Sequence, residues 1–287
     1  MTVGLAIREA AEALDGKTDT ARLDAELLMA HLLGVTRSDL LLRHMRDEVS
    51  EGYARLVMRR MRGEPVAYII GEQDFYGHTL RVTPDVLIPR GDSEALVVAA
   101  LAARPDARRV LDCGTGSGAL LFAVLADLPE AEGVGIDSSP AALTVAQGNA
   151  EALGLVSRVT MAKADWHQPG WAAQLGQFDL ILANPPYVEE AAELDVSVRD
   201  HEPASALFAG PEGLDDYRVL VPQLAGLLEP GGAALVEIGH RQDEAVSAIA
   251  TAAGLSVALH RDLAGRPRVL EMVHCETISL GNAGVEA

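Results

Sequence analysis

Arg109-Val110-Leu111-Asp112-Cys113-Gly114-Thr115-Gly116-Ser117-Gly118 runs from a short apolar stretch into a glycine-rich turn, and a second apolar stretch, Ala119–Leu128, follows at once. Arg109–Asp112 reads as a buried strand and Ala119–Leu128 as a helix, with the glycines letting the backbone between them come close to a ligand. The spacing is GxGxG, which departs from the GxGxxG of dinucleotide-binding turns. Strand and helix then keep alternating. Further strands are expected at Gly133–Asp137, Arg158–Ala162, Phe178–Ala183, Ala233–Glu237, Ser256–His260 and Val269–Val273. Helices are expected at Ala141–Leu153, with Pro140 in its first turn and Gly154 as its stop, at Asp215–Leu228, and around Gln242–Ala253. This alternation predicts an α/β fold with a doubly wound, mostly parallel seven-stranded sheet.

In such sheets ligands bind beyond the carboxyl ends of the strands, so the residues there carry the functional reading. The second strand ends on Asp137, whose carboxylate can accept both hydroxyls of a ribose, or can simply cap the next helix. The third is followed by Asp165 and Trp166. A carboxylate there can take an amino hydrogen of adenine and an indole can flank the ring, although Trp166 also fits a core position. The fourth ends in Asn184-Pro185-Pro186-Tyr187. Two prolines cannot donate to a ladder and hold the backbone stiff and extended. Asn184 Oδ1 and the Pro185 carbonyl are then two acceptors suited to the two hydrogens of one –NH₂ group. Asn-Pro also opens ordinary turns. Gly loop, Asp137 and Asp165–Trp166 together describe a nucleoside pocket without a phosphate-binding lysine, which S-adenosylmethionine fits because it carries no phosphate.

The 287 residues carry a formal net charge of −19. Residues 1–72 hold 10 basic and 12 acidic residues, against 13 and 30 in the remainder. A duplex-binding protein is expected to show a basic footprint, so stable nucleic-acid binding is not expected. Cys113 and Cys275 are the two cysteines; they fit a reducing, cytoplasmic setting and supply no thiolate cluster, and no metal site is expected. No apolar run approaches a membrane span.

Residues 1–72 read as a helical domain. Thr2 caps a helix through Leu14; Asp19 or Thr20 caps another ending at Gly34, with Leu23, Leu27 and Leu28 on one stripe. Ser38 opens Leu40–His44, and Ser50 opens a fourth helix through Met61, where Arg59, Arg60 and Arg62 read as a solvated face. Val66–Ile70 and Asp74–Val82 are expected to form a linking β-hairpin, giving domains 1–72 and 87–287 joined by 73–86, with a tail fraying from Ser279.

Taken together, Asp112–Gly118 and Asn184-Pro185-Pro186-Tyr187 resemble class I, S-adenosylmethionine-dependent amino-methyltransferases. Phe75-Tyr76-Gly77, Ile88-Pro89-Arg90 through Glu94, Glu202-Pro203 with Ala206-Leu207, Glu237-Ile238-Gly239 and Gly265-Arg266-Pro267-Arg268 narrow the resemblance to the HemK/PrmC family of release factor glutamine N5-methyltransferases. Gly91 replaces a proline of the family pattern, and His201 stands where an aromatic commonly precedes Glu-Pro. The resemblance implies methyl transfer to the amide nitrogen of the glutamine in the GGQ loop of peptide chain release factors, by a monomer, with S-adenosylhomocysteine as product. Cofactor contacts would fall on Gly114, Thr115, Gly116, Ser117, Gly118, Asp137, Trp166 and Asn184. Substrate contacts would fall on Asn184, Pro185, Pro186 and Tyr187, with Asn184, Pro185 and Tyr187 catalytic. Tyr187 would form an apolar wall, since a phenol with a pKa near 10 is poorly matched to a base's role. An adenine N6-methyltransferase acting on a flipped base, a non-catalytic S-adenosylmethionine-binding adaptor and an NAD dehydrogenase are the competing classes. The acidic catalytic half, the intact amide-binding acceptors and the loop spacing argue against each in turn.

Overall fold

In the computed structural model, which describes residues 1–275, the chain opens with helix Val3–Leu14, where the Thr2 hydroxyl accepts from the Leu5 N–H at 3.4 Å. Helix Ala21–Leu33 packs beside it and stops at Gly34, held left-handed at φ +66°. The buried face of this helix carries Asp24, Ala25, Glu26, Leu28 and Met29, while Leu23 is exposed, so the expected Leu23 stripe is displaced. Thr36 rather than Ser38 caps the next turn, accepting from Asp39 N–H, and Leu40–His44 winds on as a π-helix. Helix Tyr53–Met61 follows Gly52, with no side chain from Ser50 capping it. Its arginines correct the expectation of a solvated face. Arg60 Nε meets Asp24 Oδ2 at 2.6 Å with both side chains largely buried, and Arg59 is paired with Glu64. The buried Asp24 on the neighbouring helix needed its arginine partner more than the helix end did.

Val66–Ile70 is a helix, not the first arm of a hairpin. A five-residue apolar run does not discriminate the two by periodicity; Pro65 starts the turn and Gly71 ends it at φ +84°. Ile69 belongs to the core of the helical domain, whereas Ala67 and Tyr68 pack with Val82, Val86 and Ile88 and with the catalytic domain's Ala142 and Val145. The short helix therefore joins two cores. The hairpin comes next, as β1 (Glu72–Phe75) and β2 (His78–Arg81), turned by Tyr76 and Gly77. Both turn residues have positive φ, +48° and +78°, which matches the twist of a two-residue loop. Glu94 Oε1 accepts from the Tyr76 N–H at 3.0 Å and supports that unusual backbone.

The main sheet contains β3 (Arg109–Cys113), β4 (Glu132–Asp137), β5 (Val159–Lys163), β6 (Phe178–Ala183), β7 (Leu228–Glu237), β8 (Leu255–Arg261) and β9 (Pro267–His274). Their order is β5-β4-β3-β6-β7-β9-β8, with β9 antiparallel to both neighbours and the rest parallel. Reversal of strand order beside β3 places a crevice between β3 and β6 at their carboxyl ends. Leu180 and Leu182 face a core shared with helices Glu94–Ala103 and Ala119–Asp127, while Phe178, Ile181 and Ala183 face helices Asp215–Leu227 and Asp243–Ala252. Phe178 is fully buried, a burial that stabilises by about 1.5–3 kcal/mol. Asp179, the polar residue of β6, accepts from the N–H groups of Arg108 and Arg109, both at 2.8 Å, and so closes the start of β3. The frayed tail expected from Ser279 lies outside the described residues.

Asn149, on helix Pro140–Ala152, fastens the hairpin to the glycine loop. Its amide donates to Arg81 O (3.0 Å) and Ser117 O (2.8 Å) and accepts from Arg81 N–H (2.8 Å). Asn149→Ala leaves these backbone groups unpaired in a buried place, and unfolding free energy should fall by about 1–3 kcal/mol. Urea titration reads this as a lower midpoint at unchanged slope; a fall below about 0.5 kcal/mol would deny the side chain this supporting role.

Candidate active site

The crevice opens into a cavity of about 530 Å³, walled by the glycine loop, Asp137–Ser139, Asp165–His167, Asn184 and Pro186. The linker residues Pro84–Leu87, Pro89, Arg90 and Ser93 close it from one side, and Pro203, Ser205 and Ala206 from another. Gly114 has φ +76°, and a side chain there would press on the Trp166 ring at 3.2 Å; at Gly118 it would overlap the Phe122 ring. The loop is thus glycine at both ends for backbone shape, Gly118 having φ +85° as well, and for close packing.

Asp137 Oδ2 accepts from Gly116 N–H at 3.0 Å and Oδ1 from Ser139 N–H at 2.9 Å. The carboxylate fixes the loop and caps the next helix, yet each oxygen keeps a lone pair toward the cavity. Burial raises its pKa, opposed by the Ser139, Gly116 and Ser138 N–H groups. The capping and binding readings of Asp137 are therefore compatible. Asp112, on the neighbouring strand β3, is buried; its Oδ2 accepts from Thr115 Oγ1 at 2.7 Å and its Oδ1 has no hydrogen-bond partner of good geometry among the described residues.

Trp166 lies over Gly114, and its Nε1–H donates to Asp216 Oδ1 at 2.9 Å. His167 Nε2 meets the same oxygen at 3.0 Å. Gln223 accepts from Trp171 Nε1 at 2.6 Å and donates to the Trp166 carbonyl at 3.1 Å. Helix Asp215–Leu227 therefore holds the segment after β5 by side chains that sequence reasoning passed over. Asp216 is a first-turn acid, a type common at helix starts for dipole reasons alone, so its position gave no signal.

Asn184 lines the cavity, and among the described residues neither its amide nor the Pro185 carbonyl is engaged by a protein hydrogen bond. Pro186 lines the cavity too, whereas Tyr187 is turned behind it. The Tyr187 carbonyl accepts from Gln242 Nε2 at 3.1 Å, and its hydroxyl donates to Glu237 Oε1 at 3.3 Å. Burial and the nearby Glu237 carboxylate push the phenol well above its ordinary value, so it stays protonated. After Val188 the chain leaves on a long excursion and returns at Phe208, Val188 N–H donating to Leu207 O and Ala209 N–H to Val188 O. Glu202, buried on that excursion, accepts from Ile88 N–H at 3.1 Å and pairs with Arg90. His201 beside it faces Gly63 of the helical domain, and at Gly91 nothing crowds a side chain.

Acids prevail in the lining: Asp137, Asp165 and Asp216 stand against Arg90, itself paired with Glu202, and His167. Among the described residues no cluster suited to a metal ion occurs, and no helix is long and apolar enough to cross a membrane.

The state of Asp112 has a measurable consequence. Burial raises its pKa from 3.8 to about 7, against the pull of the Thr115 hydroxyl. The folded chain keeps this proton after the unfolded chain has lost it, so the stability it contributes is full below the unfolded value and is lost as pH rises through the folded one. Asp112→Asn keeps an acceptor for Thr115 without the charge. Its melting temperature should gain on that of the unsubstituted protein from about pH 5 to about pH 8; parallel pH profiles would show that Asp112 ionises normally.

Residues 6–71 match the PrmC N-terminal domain family, and residues 105–250 match a methyltransferase domain family. The chain is 41% identical over 266 residues to the release factor glutamine methyltransferase of Caulobacter vibrioides, covering 89% of this chain and 90% of that one. It is 42% identical over 279 residues to the protein of that name from Moorella thermoacetica, covering 93% and 97%. Among solved structures, the hMettl16 catalytic domain in complex with MAT2A 3'UTR hairpin 6 superposes with a TM-score of 0.54 at 14% identity, over 79% of this chain and 84% of that one, a likeness of fold. With this identity along nearly the whole length of both chains, the protein belongs to the release factor glutamine methyltransferase family.

Proposed function

We propose that the protein transfers a methyl group from S-adenosylmethionine to the side-chain amide nitrogen of a glutamine in peptide chain release factors. The observation that carries this reading is the family relation across both the helical and the catalytic part. The site's chemistry agrees with it. A cavity lined by acids, with no free cation among the described residues, suits a ligand that is cationic and carries no phosphate. Asp137 would hold the ribose hydroxyls on its remaining lone pairs, the Gly114–Gly118 loop would lie along the ligand, and Asp165 and Trp166 would border the base. The cofactor, when bound, supplies an electrophilic methyl group on a sulfonium.

The task left to the protein is positioning. An amide nitrogen is a weak nucleophile because its lone pair is delocalised into the carbonyl. Asn184 Oδ1 and the Pro185 carbonyl, both unengaged, would accept the two amide hydrogens and turn the nitrogen toward the methyl group. As acceptors they also favour the positive charge that grows on nitrogen. Orientation of this kind supplies up to about 7–11 kcal/mol in the best cases. Tyr187, protonated and hydrogen-bonded, would not serve as a base. The reading is tested by incubating the protein with S-adenosylmethionine and a purified release factor and locating the methyl group by mass spectrometry; methylation elsewhere than on a glutamine, or none, refutes it.

Two substitutions separate the binding and positioning roles. Asp137→Ala should weaken cofactor binding by about 1.5–3 kcal/mol, roughly 10- to 150-fold, as read by calorimetry. Asn184→Ala should lower turnover far more than cofactor affinity. An unchanged dissociation constant for the first, or an equal loss of both quantities for the second, would remove that residue from its role.

The helical domain would recognise the factor. A free glutamine offers few contacts, and binding energy from a folded surface around it can be used to orient the reacting group. Because Tyr68 donates to the Val86 carbonyl in the linker beyond the hairpin and packs with Ala142 and Val145, the useful cut lies before helix Val66–Ile70. A chain beginning at Pro65 should keep cofactor affinity within a few-fold yet lose most methylation of intact factor, with less loss on a short glutamine-containing peptide. Equal rates on intact factor would end the recognition role, and circular dichroism shows whether the shortened chain is folded.

A further inference from the structure

Glu237 ends β7 and is 1% exposed, among the most buried acids of the chain. Its Oε1 accepts from the Tyr187 hydroxyl, its Oε2 makes no hydrogen bond of good geometry among the described residues, and the buried Ser93 hydroxyl lies close enough to favour its charged form. Burying a carboxylate with half of its capacity unused costs free energy, and an apolar residue would fill a core position at lower cost. Neutralising Arg268 does not account for it. Arg268 Nη1 is 4.0 Å away, while Nη2 already donates to Asp92 Oδ2 at 2.9 Å and lies 3.8 Å from Asp262. Beside its approach to Ser93, what Glu237 supplies is an anchor for the phenol.

That anchor has a defined geometry. Tyr187 follows directly on Asn184-Pro185-Pro186, so any swing of its ring is felt at the two unengaged acceptors. Gln242 fixes the Tyr187 carbonyl, and Gln242 is itself held through Gly239 N–H, which donates to its Oε1 at 3.0 Å. The hydroxyl on Glu237 is the second point. Through Arg268 and Asp92 the same cluster reaches the linker whose neighbouring residues, Arg90 and Ser93, line the cavity.

We propose that Glu237 is a positioning residue for methyl transfer, acting through the Tyr187 hydroxyl to hold the Asn184–Tyr187 segment in its reactive pose. The proposal rests on the function given above, and deepens it. It assigns the phenolic hydroxyl a structural donor's task and gives the buried carboxylate a purpose distinct from charge neutralisation. The protonated phenol, donating to a carboxylate, fixes the direction of the bond.

The test uses the full chain and an intact release factor, with Tyr187→Phe, Glu237→Ala, Glu237→Gln and the double variant Y187F/E237A. Turnover at saturating substrates and cofactor affinity by calorimetry are measured for each. Tyr187→Phe and Glu237→Ala should each lower kcat by about ten-fold or more while leaving the cofactor dissociation constant within a few-fold. Glu237→Gln, which keeps an acceptor for the hydroxyl, should recover most of the turnover. The double variant should be no slower than the slower single one, because both remove one interaction. The proposal is overturned by full turnover in Tyr187→Phe, by losses that multiply in the double variant, or by Glu237→Gln as slow as Glu237→Ala. If Glu237→Ala does not fold, Glu237→Gln with Tyr187→Phe decides alone: full turnover in the latter overturns the role, and a slowed Tyr187→Phe beside an active Glu237→Gln upholds it. Methylation of the factor by the unsubstituted protein checks the underlying reading separately, and its absence would overturn both.

Discussion

Asn184, Gly114 and Glu237 meet at one edge of the sheet because β6 pairs with β3 and β7 in a register with little freedom. Val110 lies opposite Leu180 and Cys113 opposite Ala183, while Ala183 lies opposite Val236 on the other side. Slipping β6 by one residue would send Leu180 and Leu182 into the core that now receives Phe178 and Ile181, and the reverse. Both faces are already filled, so the slip is blocked twice. At the far end of β6, Asp179 sets the same register by closing the start of β3, and β7 bulges opposite it between Leu228 and Ala233, where a side chain at Gly232 would meet three backbone carbonyls within 3.1 Å. The register then delivers two proline-stiffened acceptors beside a glycine loop.

Around that edge the irregular segments are held by acids, Glu202 and Asp216 buried and Asp92 exposed. Glu202 ties the excursion after Tyr187 to the linker at Ile88 and Arg90, Asp216 ties the segment after β5 to helix Asp215–Leu227, and Asp92 ties the linker to Arg266 and Arg268. A buried acid lacking a partner would be costly, so the Glu202 and Asp216 ties strongly disfavour the alternatives in which their segments swing free. Loops without regular structure thereby form walls of a defined cavity. The acidic balance of the catalytic half, which argues against a nucleic-acid partner, is in part these interior ties, and in part the lining itself.

The helical and catalytic parts are connected less by the hairpin than by helix Val66–Ile70. Its successive residues enter different cores, and the Tyr68 hydroxyl donates to the Val86 carbonyl beyond the hairpin. Gly63 faces Val196 and His201, so the helical part also touches the excursion that Glu202 anchors. The helical part is in this way in contact with the segment that borders the cavity.

The sequence by itself determined the alternation of strands and helices, the strand ends on which Gly114–Gly118, Asp137 and Asn184–Tyr187 sit, and the family. These are local features: a period, a glycine turn and a proline pair act on their own neighbours in the chain. It misread Val66–Ile70, since five apolar residues satisfy a strand and a helix equally, and it took Arg59 and Arg60 for a solvated face because their acidic partners are set by packing. Tertiary structure alone decided what Asp216, Gln242, Glu202 and Glu237 do. Their partners lie 50, 55, 114 and 50 residues away along the chain, at Trp166, Tyr187, Ile88 and Tyr187. Nothing in the spacing of a chain encodes such a meeting until the sheet has brought the two segments to the same edge.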